Sequence, residues 1–348
     1  MRSRLKLLAS SVWSMNFSLG YRAVEESWQP RRLLDFAVMA ERQGFDFVCI
    51  SDHFHPWFHE GGCSGQAWVW IGAAGAKTKS VRLGTGVTTP GWRYHPAIIA
   101  QAFATLGEMF PGRIFLGLGT GEAMNEVPLG FNWPGFKERA ERLEEAIKII
   151  KMLWKGDFIT YDGKYLTLRD ARLYTLPTEM VPIYVAASGP TVAKIAGMYG
   201  DAFMTFYTNS DVHRKLLASL SEGAKEAERP YEQIAKMVEL KISYDEDYEK
   251  ALQSLSRWRN TRIPNVIAKP IHDPRELDRL GDAVDIKKLA EFVVTDMDSC
   301  IELVERAVEQ GFNEVQVGSS SPDEEKFIER FGKEALPYLK EKYAELRR

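Results

Sequence analysis

A chain of 348 residues with 45% hydrophobic and 27% charged residues has the composition of a folded globular protein and excludes a disordered or low-complexity one. Its formal net charge of −3 gives no electrostatic case for a nucleic-acid partner, and no uninterrupted apolar run approaches the about 20 residues that a bilayer span needs. The three cysteines, Cys49, Cys63 and Cys300, are an odd count for a disulfide framework and fit a reducing, cytoplasmic setting.

Residues 1–14 read as an extension ahead of the first strand; their apolar run is broken by Ser10 and Ser11, which argues against a signal peptide. Strands are then expected at 17–21, 45–51, 81–87, 113–119, 183–187, 202–206, 237–243 and 314–318. These runs are too continuously apolar for half-exposed strands and suit a parallel sheet buried on both faces. Amphipathic helices alternate with them. Pro30–Gln43 carries Leu33, Phe36, Ala37 and Ala40 on one stripe and stops at Gly44, and Pro96–Met109, 136–154 and 295–310 repeat the pattern. Eight strands alternating with helices give an α/β fold, either a closed (β/α)8 barrel or a doubly wound open sheet, in a single domain. Two stretches, 122–180 and 245–290, exceed a simple βα unit and read as insertions; the first carries a turn at Asp162-Gly163 between short strand-like pieces.

In a barrel, reacting groups come from the C-terminal ends of strands. The second strand ends in Ser51-Asp52-His53-Phe54-His55-Pro56-Trp57, which puts a titratable imidazole beside a carboxylate. His53, His55 and His59 do not make a metal set, because His95, His213 and His272 are poorly placed to join them. The run Gly117-Leu118-Gly119-Thr120-Gly121-Glu122 lacks the dinucleotide fingerprint; it reads as a tight strand exit over which a flat ligand can approach the backbone, with Glu122 projecting into the mouth. After the fifth strand, Ser188 and Thr191 flank a helix start suited to a phosphate, or to a plain cap.

Four motifs together resemble a known family: SDHFHPW at 51–57, HPAIIAQAFATLG at 95–107, FLGLGTGEAMNE at 115–126 and VPIYVAASGP at 181–190. The chain resembles the deazaflavin-dependent branch of the bacterial luciferase-like TIM barrels, most closely the F420-dependent glucose-6-phosphate dehydrogenases and then the F420-dependent secondary alcohol dehydrogenases, over nearly its whole length. The resemblance implies insertions over the C-terminal face of the barrel, coenzyme F420 and hydride transfer with a hydroxyl-bearing carbon of a small-molecule substrate. It implies that Asp52, His53, Trp57 and Glu122 line the reacting centre, with His53 as base, Asp52 orienting it or touching the coenzyme, and Glu122 as a proton donor. It further implies coenzyme contacts from Asp52, Thr89, Asn125, Ala187, Ser188 and Gly189, joined by Thr191, and a cis peptide at Gly86-Val87. Related barrels pair as homodimers, and the same is expected here.

The resemblance breaks at the substrate phosphate. The family's basic residues fall on Asn209, Ala268 and Phe292, none of which is basic. Lys269 is the expected substitute, with Arg262, Lys215 and Lys288 as further candidates, and Phe206, Tyr207, Trp258 and Phe292 give an aromatic lining. A free sugar, another sugar phosphate or a secondary alcohol are therefore open. An FMN-dependent luciferase-like monooxygenase and a non-catalytic coenzyme-binding barrel are the alternative readings.

Overall fold

Each of the eight apolar runs forms a strand, and the strands close on themselves. The computed structural model describes residues 17–347, so the extension expected at 1–14 lies outside the described residues. In chain order the strands are β1 (Ser18–Ala23), β2 (Phe47–Ile50), β3 (Arg82–Thr85), β4 (Ile114–Leu118), β5 (Ile159–Asp162), β6 (Thr167–Ala171), β7 (Ile183–Ala186), β8 (Ala202–Phe206), β9 (Ala235–Tyr244), β10 (Val293–Val294) and β11 (Glu314–Ser319). The ladder runs β1-β2-β3-β4-β7-β8-β9-β11 and back to β1, with every pair parallel. That closure selects the barrel over the open sheet. All eight C-terminal strand ends therefore open on one mouth.

Helices wrap the barrel for the reason their spacing predicts. Pro30–Gln43 buries Leu33, Phe36, Ala37 and Ala40 and ends at Gly44, whose φ of 94° is left-handed. Helix Met297–Glu309 begins later than the sequence reading at 295, because the Asp296 side chain caps it by accepting from Ser299 N. Strand residues alternate between two cores: Val238, Leu240 and Ile242 join the helix-facing core, whereas Phe47, Cys49, Phe115, Tyr184, Met204 and Met237 fill the lumen. Among the described residues no helix is long and apolar enough to cross a membrane.

The two long segments behave differently. Of 122–180, the start stays at the mouth and Phe136–Leu153 is the barrel's own helix. In place of a cover over the mouth, the β5-β6 hairpin lies along that helix: Glu145 accepts from the backbone N–H of Lys164, Tyr165 and Leu166, and the Tyr165 hydroxyl donates to Glu141. The helix has already carried the chain back from the mouth, so the hairpin packs on the outer wall. The second segment does cover the mouth. Its Leu255, Trp258, Ile263, Val266, Leu277 and Leu289 share one apolar cluster with Val24, Trp57, Phe58 and Met124 from the loops after β1, β2 and β4.

Candidate active site

His53, three residues beyond β2, is the centre of the mouth. Its Nε2 lies 3.2 Å from Glu26 Oε1 and its Nδ1 3.4 Å from Glu122 Oε2, so each ring nitrogen faces a carboxylate. Glu25 anchors the same residue by accepting from His53 N at 2.9 Å. Asn125 Oδ1 accepts from Phe54 N at 2.8 Å, which holds its amide against His53 Nδ1. Burial disfavours the charged ring, but the hydrogen bond with Glu26 and the charges of Glu122, Glu26 and Glu25 win and push its pKa up to about 9. Glu26 is held at about 2: burial raises it, and the hydrogen bond and charge of His53 together with Arg22 more than offset that. Glu122 is displaced upward, chiefly by burial, with His53 only partly countering. Two acids beside one imidazole are thus pushed apart, Glu26 downward and Glu122 upward.

Asp52 does not orient His53, which corrects the expectation drawn from their adjacency. Consecutive residues leaving a strand point to opposite sides. Asp52 Oδ2 accepts from Thr88 Oγ1 at 2.6 Å, and its Oδ1 lies 3.2 Å from Arg93 Nη2. Arg93 also donates from its backbone N to Glu126 Oε2 at 2.9 Å, while its own Nε is buried without a hydrogen-bond partner.

The residues expected to hold the coenzyme form a wall beside this group. The Gly86-Val87 peptide is cis. A Cβ at Gly117 would collide with the Thr85 carbonyl, and one at Gly119 would stand 2.6 Å from Val87 Cγ2. The glycine run therefore lets β4 close on the 85–87 segment, a tighter purpose than the open approach read from sequence. Gly121, at φ +78°, lies against Thr89, where an added Cβ would stand 2.5 Å from Thr89 Cγ2. After β7, Ala187 is buried, Gly189 half-buried, and Ser188 and Thr191 exposed. Gly189 starts helix Pro190–Tyr199 with no side-chain cap, so the plain-cap reading of Ser188 and Thr191 gives way to a helix start whose first N–H groups have no side-chain acceptor.

Trp57 is buried in the cluster beneath the second insertion, and its carbonyl accepts from Asn260 Nδ2 at 2.5 Å. Of the residues expected around the substrate, Trp258 belongs to this insertion and is buried, and Phe292, just beyond it, is half-buried against the same cluster. Asn209 is exposed and committed to capping helix Ser210–Glu226, accepting from Val212 N. Lys269 stands exposed. His55 and His59 are likewise tied elsewhere, to His272 O and to Asp278 through the backbone N of His59. Among the described residues no group of three or more His, Cys, Asp or Glu is arranged to hold a metal.

Sequence reasoning missed Glu25 and Glu26. It ended the first strand at 21, so their place just beyond Ala23, the observed end of β1, was not seen as a mouth position. It also missed Arg22, whose guanidinium pairs with Glu239 Oε2 at 2.9 Å and donates to Gly86 O and Ser51 Oγ, tying β1, β2, β3 and β9 together beneath the site. An arginine inside an apolar strand was the available signal.

Residues 11–320 match the family model of the luciferase-like monooxygenases. The F420-dependent glucose-6-phosphate dehydrogenase of Microbacterium testaceum (strain StLB037) is 42% identical over 334 residues, covering 93% of this chain and 98% of that protein. Its namesake from Mycolicibacterium fortuitum is 43% identical over 328 residues, with 92% and 98% covered. A solved F420-dependent secondary alcohol dehydrogenase, in complex with an F420-acetone adduct, superposes with a TM-score of 0.88 at 39% identity, over 91% of this chain and 98% of that one. The coenzyme F420 dependent tetrahydromethanopterin reductase from Methanopyrus kandleri, at 24% identity and a TM-score of 0.76, shares the fold. The chain belongs to the luciferase-like family, in the branch of the F420-dependent glucose-6-phosphate and secondary alcohol dehydrogenases.

Proposed function

We propose that the protein is an F420-dependent oxidoreductase that interconverts a hydroxyl-bearing carbon of a small substrate and its carbonyl form. The observation that carries this reading is His53 held with a carboxylate at each ring nitrogen in the mouth of the barrel. When bound, F420 supplies the carbon that accepts or returns the hydride. The residues present fit such a group. The first N–H groups of helix Pro190–Tyr199 face no side-chain cap and suit the coenzyme's phosphate, with Ser188, Gly189 and Thr191 around it. Among the described residues, buried Glu122 Oε2 and Arg93 Nε face His53 and Glu126 as ion pairs but make no hydrogen bond, so hydrogen-bonding capacity is left for a ligand. Gly86, Val87, Thr89 and Ala187 would back a flat ring, with Asp52 and Asn125 at its edge.

The proton work belongs to this chain. Oxidation needs a base at the substrate hydroxyl, and His53 serves in its neutral form. Reduction of a carbonyl draws on the charged form, which donates to the oxygen. Glu26 fixes the ring through Nε2, and the exchange is assigned to Nδ1, the nitrogen that Glu122 and Asn125 also face. Glu122, whose pKa burial raises, faces the same nitrogen. Trp57 and Trp258 exclude water beneath the second insertion.

The test is a screen of sugar phosphates, free sugars and secondary alcohols with F420, following loss of the oxidised coenzyme's absorbance. His53→Ala and Glu122→Gln should each abolish reduction while F420 binding, read by fluorescence, persists. Wild-type rates in both variants would end the mechanism. A yellow flavin bound in place of F420 would favour a monooxygenase instead.

A further inference from the structure

β9 brings a lysine to the mouth that the proton chemistry above does not use. Lys241 lies opposite Gly318 of β11, one lumen-facing position above Glu239. Its Nζ stands 3.5 Å from the centre of the Trp258 ring, and among the described residues it forms no ion pair and no hydrogen bond. A cation–π contact offsets only part of the cost of withdrawing an ammonium from water, and the Lys241 side chain is half-buried. The shortfall shows in its titration. Burial lowers its pKa to about 7; Glu239 and Glu26 pull it back up, and Arg22 and Arg262 push it further down. Arg262, from the second insertion, adds a second cation to the same neighbourhood. Its guanidinium lies over Phe292 at 4.5 Å and pairs with Glu291, yet its Nε is buried with no partner. Lys241 lies one lumen position above Glu239, which pairs with Arg22 beneath the site, and its Trp258 seat packs in the same cluster as Trp57, so this cationic shelf borders the mouth.

We propose that Lys241, backed by Arg262 and seated on Trp258, is the anchor for an anionic group, carboxylate or phosphate, carried by the substrate. The proposal rests on His53 and Glu122 marking the reacting centre. A neutral hydroxyl answers a half-buried, unpaired ammonium poorly; an anion answers it with a charge-assisted hydrogen bond and leaves the far end of the substrate fixed while its hydroxyl reaches His53. The cations come from β9 and the second insertion, which accounts for a chain whose Asn209 caps a helix and whose Lys269 faces solvent.

The experiment uses the coenzyme-free protein first. Inorganic phosphate and malonate are titrated calorimetrically into wild type, Lys241→Met, Lys241→Arg and the exposed control Arg257→Met, with circular dichroism to verify folding. Lys241→Met should weaken at least one of the two anions by about tenfold or more, and Lys241→Arg should restore most of it. Which anion responds identifies phosphate or carboxylate as the group. Equal affinities in wild type and Lys241→Met, or no binding by wild type, overturns the anchor. With F420 present, Lys241→Met should raise KM for an anionic hydroxy-substrate by about tenfold while kcat/KM for a neutral secondary alcohol holds. Equal losses on both substrates would make Lys241 a structural strut and refute the proposal. Absence of any F420 reduction alongside a Lys241-dependent anion affinity would sink the coenzyme reading and leave the anion site standing.

Discussion

Glu26→Gln tests the electrostatic core of the site. Glu26 Oε1 lies 3.2 Å from His53 Nε2, where two unit charges attract by about 5 kcal/mol at an effective dielectric of about 20. Burial of the ring consumes part of that. What remains, with Glu122 and Glu25 contributing, lifts His53 from an ordinary 6.5 to about 9, a difference of about 3 kcal/mol between its two protonation states. The low pKa of Glu26 is the same attraction seen from its partner and is counted once. Glutamine keeps the shape and removes the charge, so His53 should fall by about one unit or more. A raised folded-state pKa stabilises the fold fully below the unfolded value of about 6.5 and loses that contribution as pH climbs to about 9. Wild type should therefore lose stability over this window because of His53, and Glu26→Gln should lose less. The readout is side-chain NMR titration of the six histidines, with His53→Asn for assignment, and urea denaturation at both ends of the window. A wild-type His53 titrating near 6.5, or a position unmoved by Glu26→Gln, would refute the reasoning.

Because kcat/KM reports ionisations of the free enzyme, alcohol oxidation should accelerate with pH up to about 9, and carbonyl reduction should hold up to that point and slow beyond it; profiles of both turning near 6.5 would remove His53 from the proton step. Arg22→Met leaves Glu239 buried without its 2.9 Å partner and should cost about 3–5 kcal/mol in urea unfolding, with a loss below about 1 kcal/mol counting against the network. Gly121→Ala combines a φ of +78° with a Cβ 2.5 Å from Thr89 Cγ2, whereas Gly130→Ala meets a φ of +86° in open space. The first should destabilise by more than the roughly 1–2 kcal/mol left-handed penalty of the second and should weaken F420 binding, measured by fluorescence; equal costs would show that the Thr89 contact yields freely.

The frame of the molecule was legible because it depends on local periodicity. Leu33, Phe36, Ala37 and Ala40 had to share a stripe, and Gly44 had to end it, whatever the rest of the chain did. Asp52, His53 and Glu122 were legible as mouth residues for a similar reason: each follows a recognisable strand within a few positions. Partnership was not legible. Asp52 and His53 are adjacent in sequence and diverge in space, while Glu26 reaches His53 from a strand exit 27 residues earlier. The hairpin at 159–171 was found by its turn residues, but its position depended on which end of the barrel the helix before it had reached.

β9 shows how a sound strand rule hides chemistry. A strand buried on both faces is expected to be apolar on both, and the run at 237–243 reads as such a strand. Its residues in fact alternate: Val238, Leu240 and Ile242 meet the helices, whereas Met237, Glu239 and Lys241 line the lumen and become polar toward the mouth. A lumen is dry packing at its base, where Met237 meets Phe47 and Tyr184, and charged nearer the open end, where Arg22 and Glu239 pair. Charge inside a barrel strand is expensive unless something answers it. Glu239 is answered by Arg22 within the chain, whereas among the described residues Lys241, one layer higher, forms no ion pair with a carboxylate. Position along the strand then becomes functional information: the nearer an unpaired lumen charge lies to the C-terminal end, the more its counterpart belongs to the ligand rather than to the fold.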